Sequence, residues 1–194
     1  MGFLLALVLS LLGCGMPTTS PPGNNTALQA VRMALQTLHD RHPAGEVVLV
    51  GSDNVAANGT AERWIIHVWD PAQNATFHYQ VASGRLSDVG SSGLAKPPTR
   101  PVVAHVDQAA IAPVLDSDAA TDAGGAAGGT AFEQQTGASV LSMTLSGSVG
   151  EDLRWSIFYS KPYTGHQATL ELDAKSGDLV ALDTEDPAFH QPGR

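Results

Sequence analysis

A single cysteine, Cys14, stands in 194 residues. It excludes an internal disulfide and any four-cysteine zinc site. Basic side chains are also scarce. Ten Lys and Arg face 19 Asp and Glu, for a net charge of −9. A nucleic-acid surface needs clustered Lys and Arg, so nucleic acid is not an expected partner. Long apolar runs are missing as well: Phe3 to Leu12 is almost unbroken but covers ten residues, or about 15 Å of helix against a bilayer core of about 30 Å. The chain has no Gly-x-Ser-x-Gly elbow, no P-loop and no His-Glu-x-x-His. No catalytic residues and no cofactor are expected. Hydrophobic residues make up 43%, enough for a real core.

The charge is uneven. Residues 1–100 carry six basic and six acidic side chains, whereas residues 101–194 carry four and thirteen. The imbalance reads first as a solvated acidic face, with a basic partner or a loose cation site as the alternatives.

Ala27 to His42 is the clearest helix. Leu28, Val31, Leu35 and Leu38 form one stripe, Asn25 or Thr26 caps the start, and Pro43 and Gly45 end it. Val47 to Val50 is a short β-rich run. Arg63 to Trp69 and Asn74 to Val81 alternate, and we pair Trp64 with Tyr79, Ile66 with Phe77 and Val68 with Ala75. Gly84 turns the chain into a last short strand. The second half repeats this ending. Trp155 pairs with Leu172, Ile157 with Leu170 and Tyr159 with Ala168, and Gly177 makes the turn. Trp64 and Trp155 lie 91 residues apart and Gly84 and Gly177 lie 93 apart, which indicates a duplicated unit. Trp64, Tyr79, Trp155 and Leu172 are expected in the core. Asp107 to Leu115 reads as a short helix limited by Pro113. The Asp-, Ala- and Gly-rich stretch 116–130 reads as a mobile insert.

Ile65, Trp69 and Phe158 fall on the outer, otherwise polar faces of their hairpins and are the candidate partner surface. His67 and His78 become diagonal neighbours on the same face. With no third ligand beside them we read them as solvent-facing strand residues, and no metal site is assigned. Asp116, Asp118 and Asp122 are spaced only loosely like a calcium loop. Three Asn-x-Thr triplets, at Asn24, Asn58 and Asn74, matter only in a eukaryotic secretory path.

The apolar run ends in Leu11-Leu12-Gly13-Cys14, which resembles the lipobox of bacterial lipoproteins. The resemblance implies a signal peptide over 1–13, cleavage before Cys14, and a lipid on Cys14 that holds the protein in the cell envelope, outside the cytoplasmic membrane. Two features depart from the pattern: no Lys or Arg precedes the apolar run, and Leu12 is larger than usual. Residues 14–25 then form a flexible tether.

The ending Leu172-Asp173-Ala174-Lys175-Ser176-Gly177-Asp178-Leu179-Val180 resembles the PepSY domain. Tyr79-Gln80-Val81-Ala82-Ser83-Gly84-Arg85-Leu86 matches it less well. The resemblance implies an α+β fold of two tandem PepSY-like units, each one helix on a three- or four-stranded antiparallel sheet. The units would cover 26–93 and 104–186, joined by a Pro-rich linker over 94–103 and followed by a tail over 187–194. Its suggested function is a non-catalytic protein-binding module on the envelope, with a peptidase among the proteins it restrains. The alternatives are a structural or assembly lipoprotein, and a small-ligand or cation carrier using the acidic half.

Overall fold

The computed structural model describes residues 24–93, 100–147 and 152–186. The signal peptide, Cys14, most of the tether, most of the linker and the tail lie outside these residues. The helix α1 runs over Ala27–Arg41. Thr26 caps it and forms a reciprocal capping box with Gln29. The strands β1 (Glu46–Ser52), β2 (Arg63–Asp70), β3 (Ala75–Ala82) and β4 (Arg85–Ser92) follow. A single 3-10 turn, Val106–Gln108, stands where the helix over 107–115 was expected. Then come α2 (Ser117–Gly124), a π-helical turn over Gly125–Gly129, α3 (Thr130–Thr136), and the strands β5 (Ser139–Gly147), β6 (Leu153–Ser160), β7 (Gln167–Asp173) and β8 (Leu179–Asp183).

All eight strands lie in one antiparallel sheet, in the order β4-β3-β2-β1-β5-β6-β7-β8. This corrects the expected pair of tandem units, each with its own small sheet. The strands β1 and β5 are hydrogen-bonded neighbours, with Leu49 opposite Ser146 and Val50 opposite Leu145. Pairing them removes two exposed edges from the interior of the molecule. One core cluster joins α1 and the inward residues of both halves, including Trp64, Tyr79, Trp155 and Leu172. The end of the linker belongs to it too. Val102 and Val103 are buried, and Val103 pairs with Val47 where β5 has already stopped. At the other end Asn25, placed by sequence in the tether, bridges Ala61.

The second hairpin has the expected register, Trp155 opposite Leu172 and Tyr159 opposite Ala168. The first is shifted by two residues: Trp64 faces Val81, Ile66 faces Tyr79 and Val68 faces Phe77. Asp70 causes the shift. Its Oδ1 accepts from the Ala72 amide at 2.8 Å, which closes a short Asx turn beyond the strand and pairs Asp70 with Ala75. A slip of two preserves the inward face, so the core composition is unchanged.

The stretch 116–130 is helical, which corrects its reading as a mobile insert. Asp116 caps α2 and also reaches α1. Its carboxylate accepts from Thr26 Oγ1 at 2.6 Å and from the Leu28 amide at 2.9 Å. Ser117 Oγ accepts from the Ala27 amide. The two helix N-termini therefore meet over one carboxylate, where their dipoles favour negative charge. Glycine is needed in this second helix for contact, not for mobility. A Cβ on Gly129 would lie 2.3 Å from Tyr159 Oη, and one on Gly124 would lie 2.8 Å from Ile157 Cδ1. Gly128, at φ 119°, makes the kink.

Candidate functional site

The sheet face opposite the helices carries the expected partner surface. Ile65, His67 and Trp69 alternate along β2, beside Thr76, His78 and Gln80 on β3. Ile65 and Phe158 are half-buried there. Trp69 is not exposed: it is 4% accessible and lies outside the main core cluster, flanked across the strands by Glu46 and the buried Thr76. Trp69 is therefore a packing residue of the outer face, and the expected partner surface shrinks to Ile65 and Phe158.

Phe158 opens onto a cleft of about 650 Å³ at the far end of β6, β7 and β8. That volume is in the range of small-molecule and peptide pockets. Its walls carry Asp183, Glu185 and Asp186 with His166, and His166 Nδ1 lies 2.6 Å from Asp186 Oδ2. Three carboxylates and one imidazole leave the cleft acidic. The sequence signal was the excess of acid after residue 100. It gave no sign that the β6–β7 loop and the end of β8 converge.

His67 and His78 stand directly opposite each other, not diagonally, with ring centroids 4.3 Å apart and planes at 87°. Burial, and then the His78 charge, push the His67 pKa down from 6.5 to about 4. The difference from expectation is the same two-residue slip made by Asp70.

A buried chain of polar groups escaped sequence reasoning. His42, which ends α1, places Nδ1 2.7 Å from Asp70 Oδ2 and Nε2 2.7 Å from the Tyr79 hydroxyl. Gln73 donates to the same Asp70 oxygen at 2.8 Å. Burial raises the Asp70 pKa, but bonds from His42, Gln73 and two backbone amides outweigh it and hold the carboxyl below its usual range. Burial raises the Tyr79 pKa. Aspartate, imidazole and hydroxyl in line have the order of a nucleophile relay. All three residues are buried, however, so no substrate atom reaches the hydroxyl. The chain fastens the end of α1 to the first hairpin. Only proximity in the fold reveals it, since the three positions share no sequence spacing.

The second half holds a smaller cavity of about 130 Å³, between the kinked helix and Tyr159. Glu133 and Thr130 line it. Burial raises the Glu133 pKa, while burial and then Glu133 raise that of Tyr159. Gly84 and Gly177 occupy their turns with φ of 72° and 80°. Among the described residues no group of three or more His, Cys, Asp and Glu side chains is placed to hold a metal ion. Nor is any helix among them long and apolar enough to cross a membrane.

No protein-family model matches the chain, so the PepSY resemblance rests on the quoted residues alone. No curated protein is similar to it in sequence. Among solved structures, a candidate lipoprotein from Clostridium difficile 630 is similar at 11% identity and a TM-score of 0.49, with 78% of this chain and 90% of that one covered.

Proposed function

We propose that this chain is a non-catalytic envelope protein, held at a membrane by a lipid on Cys14, whose acidic cleft binds a basic segment of another envelope protein. The cleft carries this reading. It offers an apolar wall at Phe158, room for several side chains, and three carboxylates against one imidazole. Charge of one sign in a concave site attracts the opposite sign and raises the encounter rate. The lipobox-like Leu11-Leu12-Gly13-Cys14 supplies the anchor. The PepSY-like turn sequences give one identity for the partner, a peptidase under restraint.

Crosslinking in native envelopes tests the proposal. The full protein is compared with a Phe158→Ala, Asp183→Asn, Glu185→Gln variant and with Cys14→Ser. One enriched partner is expected, lost from the cleft variant and weakened by high salt. Cys14→Ser is expected to leave the membrane fraction. A partner retained by the cleft variant overturns the assignment of the cleft. Membrane retention of Cys14→Ser overturns the lipid anchor.

A further inference from the structure

We propose that the His67–His78 pair on the outer face of the first hairpin is a binding site for a divalent transition-metal ion, with Cu²⁺ preferred over Ni²⁺ and Zn²⁺. The site is built by the pairing of β2 and β3, which sets the two imidazoles directly across from each other on one face. Directly paired residues have Cβ atoms about 5 Å apart, a span that two imidazoles bridge through one metal with bonds of about 2 Å. The rings already touch edge to face at 4.3 Å. Rotation about a soft ring torsion turns both nitrogen edges outward.

Further observations favour a metal over a packed aromatic pair. Both rings are half-buried rather than sealed, so water and ions reach them. Gly90 is the partner of His78 on β4, and a Cβ built there meets nothing within 4 Å, which leaves the approach open from that side. Ser92 Oγ lies 3.2 Å from His78 Nε2. Where Ser92 Oγ accepts from Nε2–H, Nδ1 keeps the lone pair that a metal needs; metal-bound histidines commonly have such a second partner. Leu49 faces His67 from β1 and walls the opposite side with carbon.

The chemistry of the donors sets the ion. Two nitrogens and solvent oxygens suit borderline ions, not Ca²⁺ or Mg²⁺, and affinity at such a site rises toward Cu²⁺. With two protein ligands the site captures or carries a metal ion rather than enclosing it. It lies on the first hairpin, away from the acidic cleft, and stands whether or not the cleft binds a partner.

The test is a Cu²⁺ titration of the tag-free mature protein, read by tryptophan quenching and by electron paramagnetic resonance. Trp69 lies two residues from His67 on the same face and is the near reporter. The expected result is one ion per chain with nitrogen splitting from two imidazoles. His67→Ala and His78→Ala should each weaken binding at least tenfold with unchanged far-UV circular dichroism. Ser92→Ala should weaken it less, and His166→Ala not at all. Absence of saturable binding overturns the proposal, as does equal binding by the wild type and both single variants.

Discussion

At the scale of single residues, position on the sheet decides what a histidine does. His67 loses hydration beside Leu49 and Ile65 and faces a second imidazole, so its protonated form is disfavoured. The folded pKa, about 4, lies below the 6.5 of an ordinary histidine. The unfolded chain takes up a proton as the pH falls through 6.5, while the folded chain does so only near 4. The stability that neutral His67 contributes is therefore full above 6.5, falls between 6.5 and 4, and levels off below. His67→Gln should flatten the urea midpoint across that interval; Glu46 and His78 are the other ionisable groups of the face. A slope that persists undiminished in the variant would assign the effect to those groups. The sequence placed both histidines on the correct face but not opposite each other. A face needs only the period of two, whereas the register depends on the turn that Asp70 closes with the Ala72 and Gln73 amides.

At the scale of elements, the second helix shows why composition misled. Gly124-Gly125-Ala126-Ala127-Gly128-Gly129 has poor helix propensity and reads as a loop. Contact with the sheet overrides it. Tyr159 stands four residues after Trp155, where the first half has Val68 four residues after Trp64. The larger side chain reaches the helix backbone, and glycine is the residue that lets it pass. Gly129→Ala should then destabilise by about 1–3 kcal/mol through overpacking. In a Tyr159→Val background the same substitution should cost about 1 kcal/mol less, because the Tyr159 ring is gone and the Gly124 carbonyl, 2.9 Å from the added Cβ, is the contact that still crowds it. Chemical denaturation of the four proteins measures the coupling. Additive effects would mean that the glycine serves the kink alone. The helix α1, by contrast, was legible to within a residue, because its stripe, cap and stop signals agree.

At the scale of the whole molecule, the strands could be read from the sequence, but the joint between the halves could not. The edge of β1 that meets β5 carries backbone groups, and backbone pairing leaves no trace in side-chain pattern. The joint has consequences that separate units would lack. The first turn of α1 donates to Asp116 from the second half, Val47 pairs with Val103, and Val50 lies opposite Leu145 in the ladder. A fragment ending at residue 93 loses all three and exposes the apolar run of β1 along a bare edge. Such an edge invites aggregation. The intact chain should unfold in a single transition, with tryptophan fluorescence and far-UV circular dichroism coincident, because the core is one cluster. Residues 24–93 expressed alone should be unfolded or aggregated, and co-expression with 100–186 should recover a one-to-one complex. Two resolved transitions, or a monomeric folded 24–93, would mean that the β1–β5 ladder is a contact between finished domains. Coincident transitions would instead make the eight-stranded sheet the smallest folding unit, with both the histidine pair and the acidic cleft dependent on its closure.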